Sequence, residues 1–326
     1  MEPLKLKPAF QNYLWGGTRL RDEFGKESDL ERIAESWELS CHQDGMSVIM
    51  NGVNKGKTLK EYLEEDWTAR VGEGAARYSS FPVLVKLIDA CQDLSLQVHP
   101  DDRYAQEHED GQNGKIECWY IVDCEEGAAL ACGFNRELTK EKFHESITNG
   151  TLLDVVQIVP VNKGDVFFIE PGTLHAIGAG TLVAEIQQNS NVTYRIYDYD
   201  RIDKDGNPRA LNIDKAVDVT KTWLAPPRRR RPTMQFDGYS ANVIADCQFF
   251  TTTELHITEE AVFPAPNGVS YTHLLCTDGD AALIYDGGVT MPITKGESFF
   301  LTADFGTYTI RSKNCTLLST QTLPRK

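Results

Sequence analysis

From Phe81 to Val98 the chain is an apolar run that reads as strand, short turn, strand. Pro100 ends it, because proline has no N–H to give to a sheet ladder. Cys118 to Val122 is a second strong strand, and Ala34 to Ser40 alternates apolar and polar residues as a half-buried strand does. Leu152 to Tyr199 is almost all strand and turn. Within it, Leu182–Gln188 and Asn191–Tyr197 read as adjacent strands with Asn189-Ser190 as their turn. Residues 240–326 are again β-type, with turns expected at Asp278-Gly279 and Asp286-Gly287-Gly288. Helical spacing is confined to short stretches. Thr58 to Glu61 is a capping box that opens a helix to about Trp67, and a second helix is expected over Gly74 to Tyr78. Asp101 to Glu109, Glu137 to Gly150 and Asn212 to Val217 complete the set; Phe143 and Ile147 share one face and Gly150 is a stop. The pattern predicts a mainly β protein with a few short helices.

One part of the pattern recurs. Lys163-Gly164-Asp165-Val166-Phe167-Phe168-Ile169 is echoed by Lys295-Gly296-Glu297-Ser298-Phe299-Phe300-Leu301. Each copy continues to a Gly-Thr pair, after which the first copy has His175 and the second has Thr309. Two related β-barrels are expected, with a ligand-bearing histidine only in the first. The Pro/Arg-rich stretch from Leu224 to Pro232 marks a boundary, which gives residues 1–225 as one domain, 226–239 as linker and 240–326 as a second β-domain without a metal.

Composition narrows the function. No apolar run among the 326 residues approaches the roughly 20 needed to span a membrane, and the N-terminus lacks the apolar core of a signal peptide, so a cytoplasmic protein is expected. A formal charge of -15 excludes nucleic acid as a partner, and the lone basic run, Arg228 to Arg231, reads as solvated linker. An anionic small molecule remains compatible, since it needs only a local cluster of lysine and arginine. The eight cysteines include no Cys-x-x-Cys and read as reduced, buried small hydrophobes. Trp15, in the tight turn Tyr13 to Thr18, and Trp37 read as core.

The candidate chemistry gathers at Gln97-Val98-His99-Pro100. Two residues apart on a strand, Gln97 and His99 face the same way. Lys115-Ile116-Glu117 follows, and Gly164 to His175 supplies a turn that aims a second histidine. An amide oxygen, two imidazoles and a carboxylate suit zinc or another divalent metal. Lys86 lies inside the apolar run Val83 to Ile88 and needs an anionic partner there.

The Gly-Asp…Pro-Gly-x-x-His run resembles that of a cupin-type jelly roll, with Gln97 in place of the usual first histidine. Nearly the whole chain resembles the type I mannose-6-phosphate isomerases in their shorter bacterial form. The matching pieces are Tyr13 to Gly17, Ala34 to Glu38, Phe81 to Lys86, Leu94 to Asp101, Lys115 to Glu117, Pro171 to His175 and Arg195. Ser-x-Gln-x-His-Pro-Asp followed by Lys-x-Glu is highly specific for that family.

The resemblance implies one zinc per chain bound by His99, Glu117 and His175, with Gln97 as fourth ligand, a catalytic Arg195, an active-site Lys115, and Ser95 and Lys86 near the phosphate. It also implies a small sugar-phosphate substrate and a monomer or weak homo-oligomer. Two departures stand out. Gly114 replaces a histidine common just before the lysine, and Asn191 replaces an aspartate of the longer relatives, so no acid or base role carries over to either. Isomerisation between aldose and ketose moves a proton between C1 and C2 through an enediol(ate), and a metal and a fixed guanidinium both stabilise the negative charge that develops. Lys115 and a metal-bound water both remain as proton carriers. Two rival functions stand beside the isomerase: a cupin metalloenzyme of another type, such as an iron dioxygenase using a His99, Glu117 and His175 triad, and a non-catalytic sugar-phosphate sensor.

Overall fold

The strands Val83–Ala90 and Thr181–Gln188 are buried at every position. A strand can be buried on both sides only if both faces of its sheet are covered. In the computed structural model, which describes residues 1–202, 206–224 and 232–325, this is what happens. The two strands form the middle of a six-stranded sheet ordered Val166–Ile169, Glu117–Cys124, Thr181–Gln188, Val83–Ala90, Glu35–Leu39, Ala9–Gln11.

One face of this sheet looks onto a five-stranded sheet ordered Val156–Pro160, Ala129–Phe134, His175–Ile177, Leu96–Val98, Tyr194–Tyr197. Ile88, Trp119, Ile121 and Val183 from the first sheet share a core with Leu130, Cys132 and Ile177 from the second. This is the jelly roll, closed by two sheets whose inner side chains interdigitate. The opposite face, with Val85, Leu87, Cys118, Tyr120 and Ala184, packs against the helices Arg19–Asp22, Leu59–Glu65 and Trp67–Ala76 and against Phe250, Tyr271, Leu275, Phe300 and Leu318 of the C-terminal part. Helices Lys140–Thr148 and Ile213–Val219 cover the outer side of the five-stranded sheet through Phe143 and Ala216. No helix among the described residues is long and apolar enough to cross a membrane.

Eight C-terminal strands, joined by Leu4–Lys7 and Val48–Ile49 from the N-terminal part, form a ten-stranded sheet with a core of Leu274, Leu283, Phe299, Ile310 and Leu317. The sequence echo is reproduced down to single hydrogen bonds. The turn glycines Gly164 and Gly296 have φ of 85° and 89°. Their amides donate to Ile121 and Cys276 carbonyls, both at 2.8 Å. Asp165 and Glu297 each accept from the backbone amide three residues earlier, at 2.9 and 3.0 Å. Thr309 is half-buried between Tyr308 and Ile310, which point into the core.

Several sequence expectations are corrected. The strand Glu35–Leu39 is fully buried, not half-buried. Its alternation is real, but the polar side is also enclosed and each charge has a partner: Glu38 with Lys26 at 2.6 Å, Glu35 with Trp37 Nε1 at 2.7 Å. Leu182–Gln188 and Asn191–Tyr197 do not pair; they lie in different sheets. Asn189 turns the corner between them, with its amide on the Pro82 carbonyl and its side chain on the Phe81 carbonyl. Asp278-Gly279 is not a turn but a paired stretch between two register shifts inside the long strand Thr272–Tyr285, where Gly279 lies against the Asn314 carbonyl. The second helix starts earlier than expected, at Trp67, and breaks at Gly72, whose φ is 78°.

The capping box at Thr58 is present, and its helix is Leu59–Glu65. The basic run Arg228 to Arg231 and most of the Leu224 to Pro232 boundary lie outside the described residues. Within the expected linker, Met234–Phe236 is a strand paired to Tyr239–Asp246. The N-terminal strand Leu4–Lys7 pairs with Ser298–Leu301, so the sheets do not follow a simple division at residue 225.

Candidate metal centre and substrate cavity

Strand alternation aims Ser95, Gln97 and His99 to one face, the inner face of the jelly roll. The register sets His175 opposite Gln97 on one side and Arg195 opposite Gln97 on the other. Gly172, with φ of 83°, donates its amide to the His99 carbonyl at 2.8 Å, which ties the turn before His175 to the residue at the end of the Gln97 strand. Glu117 comes from the facing sheet, at the start of Glu117–Cys124.

His99, Glu117 and His175 converge with donor atoms all within 4.8 Å of one another, and all three are buried. His99 Nδ1 lies 2.9 Å from the Val192 carbonyl and His175 Nδ1 lies 2.9 Å from the Thr173 carbonyl. A carbonyl only accepts, so each ring carries its proton on Nδ1. That leaves two Nε2 lone pairs 3.1 Å apart, which repel unless a cation lies between them. Burial holds both imidazoles neutral: it pushes His99 well down, and His175 down to about 4. Glu117 Oε1, 3.3 Å from His175 Nε2, has no hydrogen-bond partner. Ligand atoms about 2.0–2.1 Å from a tetrahedral zinc stand about 3.3–3.4 Å apart, which the observed 3.1 and 3.3 Å edges approach. The donor set fits a divalent metal. The Gln97 amide, 3.4 Å from His175 Nε2, is in reach as a fourth donor.

Lys115 Nζ lies 2.7 Å from Glu117 Oε2, 3.4 Å from His99 Nε2 and 3.5 Å from Glu185 Oε1. Lys86 Nζ, 3.3 Å from Glu185 and 3.4 Å from Glu35, has the anionic partners its strand required. Glu185, which the sequence reading did not single out, is thus shared by two lysines and also accepts from Trp119 Nε1 at 2.9 Å. Burial alone would raise its carboxyl, but Lys115, Lys86 and Trp119 together hold it below the ordinary glutamate value. Glu117 goes the other way, because burial outweighs Lys115 and raises it to about 7. The signal for Glu185 was present: a charge inside the apolar run Leu182 to Ile186, like Lys86 in its own strand.

A cavity of about 270 Å³ opens onto these groups. It is lined by Ser95, Gln97, Lys115, Lys86, Glu185 and Arg195, together with Tyr13, Trp15 and Arg209, which the sequence reading did not assign to a site. Trp37 is fully buried, as expected, whereas Trp15, also buried in the core, reaches the cavity wall. Arg195 Nε donates to Ser95 Oγ at 3.2 Å and Nη1 to the Ala210 carbonyl at 3.1 Å. Of the residues expected at a site, Ser95, Gln97, Lys86, Lys115 and Arg195 line this cavity, and the His99, Glu117 and His175 cluster adjoins it through Lys115 and Gln97.

Residues 4–121 match the family described as phosphomannose isomerase type I, catalytic domain, and residues 240–321 match the mannose-6-phosphate isomerase cupin domain. The chain is 39% identical over 308 residues to the probable mannose-6-phosphate isomerase GmuF of Bacillus subtilis, which covers 94% of this chain and 96% of that relative. It is 40% identical over 258 residues to the mannose-6-phosphate isomerase of Streptococcus mutans, covering 79% of each. The crystal structure of the mannose 6-phosphate isomerase from Bacillus subtilis superposes with a TM-score of 0.92 at 36% identity, over 98% of this chain and 99% of that one. The chain belongs to the type I phosphomannose isomerase family.

Proposed function

From that membership, we propose that the chain interconverts D-mannose 6-phosphate and D-fructose 6-phosphate through an enediol(ate), in the cytoplasm, with one zinc per chain held by His99, Glu117 and His175 and by Gln97 as fourth ligand. The observation that carries this reading is the placement of Lys115 between Glu117 and Glu185, at 2.7 and 3.5 Å, beside two converging imidazoles. When bound, zinc supplies Lewis-acid stabilisation of negative charge on the sugar oxygens. Lys115 and Glu185 are an acid and a base in contact, so a proton taken at one carbon can be held in the pair and returned at the next. Lys86 balances the Glu185 charge from the other side. Arg195, fixed through Ser95 and the Ala210 carbonyl, offers a cation that cannot lose its proton to the developing oxyanion. Trp15, Ile88, Leu94 and Ile177 form the apolar part of the same cavity wall.

The test is to incubate the zinc-loaded protein with mannose 6-phosphate and follow fructose 6-phosphate. Oxygen consumption with Fe(II) in place of isomerisation would move the reading to a cupin dioxygenase. Tight binding of the sugar phosphate without turnover would make the chain a sensor.

A further inference from the structure

We infer that Arg209, clamped by Asp198 at the mouth of the cavity, receives the phosphate of the substrate, with Asp198 as its positioning residue; this rests on the sugar-phosphate reading above. Asp198 is nearly buried and accepts from Arg209 Nε at 2.7 Å and Nη2 at 2.6 Å. It also accepts from Arg201 Nη2 at 2.8 Å, and Arg201 Nη1 is tied to the Asp93 carbonyl at 2.7 Å. A two-point bond between guanidinium and carboxylate fixes the plane of the arginine as well as its place. The guanidinium so fixed is on the cavity wall beside Arg195.

Charge supports the same assignment. In a chain of net charge -15, three arginines, Arg195, Arg201 and Arg209, surround one carboxylate, Asp198, and leave two positive charges in excess. Burial and the nearby Arg209 disfavour the charged form of Arg195, the mark of positive charge not fully matched inside the protein. A phosphate monoester, close to a dianion at pH 7, matches the excess of two.

Position supports it too. Ser95 and His99 lie on one face four residues apart, so they are separated by about 13 Å along the strand. The metal centre is at the His99 end and the arginines are at the Ser95 end, where Ser95 Oγ accepts from Arg195. A hexose 6-phosphate likewise carries its reacting carbons and its phosphate at opposite ends. Lys86, by contrast, is enclosed between Glu35 and Glu185 and its charge is already matched.

The experiment compares wild type with Arg209→Ala and Asp198→Asn, using mannose 6-phosphate as substrate and inorganic phosphate as competing ligand. With Arg209→Ala, KM for mannose 6-phosphate should rise roughly 10- to 100-fold, as expected for loss of charge-assisted bonds. Its kcat should change less than about threefold, since the phosphate is held alike in ground and transition states. Inhibition by inorganic phosphate should weaken by a similar factor. Asp198→Asn should raise KM less, and the double variant should be no worse than Arg209→Ala alone, because Asp198 acts through Arg209. If Asp198→Asn folds poorly, Arg209→Lys, which keeps the charge and loses the fork, gives the intermediate KM instead. Unchanged KM and unchanged phosphate inhibition in Arg209→Ala overturn the inference. If wild type does not turn over mannose 6-phosphate, the proposed function fails, yet calorimetry with inorganic phosphate still decides on Arg209. Phosphate binding that is absent in wild type, or equal in wild type and Arg209→Ala, overturns it.

Discussion

The amide of Gly172 donates to the carbonyl of His99 at 2.8 Å, so the turn that carries His175 into the barrel hangs from the other histidine of the candidate metal centre. Gly172 takes a φ of 83°, and a Cβ there would come within 2.7 Å of the Val219 carbonyl. Gly172→Ala should therefore loosen the centre as well as the fold. The expected stability loss exceeds about 1 kcal/mol, since alanine is strained at positive φ. Zinc affinity, measured by competition with a chromophoric chelator, should fall at least tenfold. Unchanged affinity would mean that His175 is aimed independently of the turn.

The metal ligands give a second test. His175→Ala and Glu117→Gln should each purify with less than a tenth of the zinc of wild type, because the proposed protein donor set loses much of its affinity with either member. A chelator should abolish wild-type activity, and Zn²⁺ should restore it. Full metal occupancy in both variants would place the metal elsewhere.

Arg195 and Arg209 should separate kinetically. If Arg195 stabilises the enediolate, Arg195→Ala should lower kcat by roughly two to three orders of magnitude, with a much smaller change in KM. A steep rise in KM at constant kcat would make Arg195 a second phosphate ligand. Values near wild type for both constants would remove it from the reaction.

Glu185 holds two buried lysines, so Glu185→Gln leaves Lys86 and Lys115 under-compensated. Breaking a buried pair from one side costs about 3–5 kcal/mol, and chemical denaturation should report a loss of that order. Adding Lys86→Met should return part of the stability but none of the activity. Simple additivity of the two losses would show that the pair is not coupled.

The C-terminal domain carries its own pH dependence. His273 is buried, donates Nε2–H to Ser298 Oγ at 2.7 Å, and leaves Nδ1 without a partner. Burial, with help from Lys26, lowers it from 6.5 to about 3. The unfolded chain therefore binds a proton between these values that the folded chain does not, so stability is full above pH 6.5 and falls as pH drops toward 3. Denaturant midpoints measured from pH 7 to pH 4 should fall more steeply for wild type than for His273→Gln. Parallel curves would assign the acid sensitivity to other groups.

What the sequence determined by itself was local. Alternation and apolar runs placed the strands, the Thr58 capping box placed a helix start, and Gly164 and Gly296 marked two equivalent turns, because each depends on neighbours a few residues away. The common face of Gln97 and His99 was legible for the same reason, and Lys86 announced a buried anion by its apolar strand. Only the tertiary structure decided which strands pair. Thr181–Gln188 is buried on both faces, so its pattern says nothing of its partners, and the expected hairpin with Asn191–Tyr197 proved to cross between sheets. Register then chose what meets what: Glu185 beside Lys86, His175 beside Gln97, Gln97 beside Arg195. Arg209 shows the limit most plainly. It sits in a polar loop with no periodicity, and nothing local connects it to the cavity; the Asp198 carboxylate and the packing of the loop against the barrel bring it there.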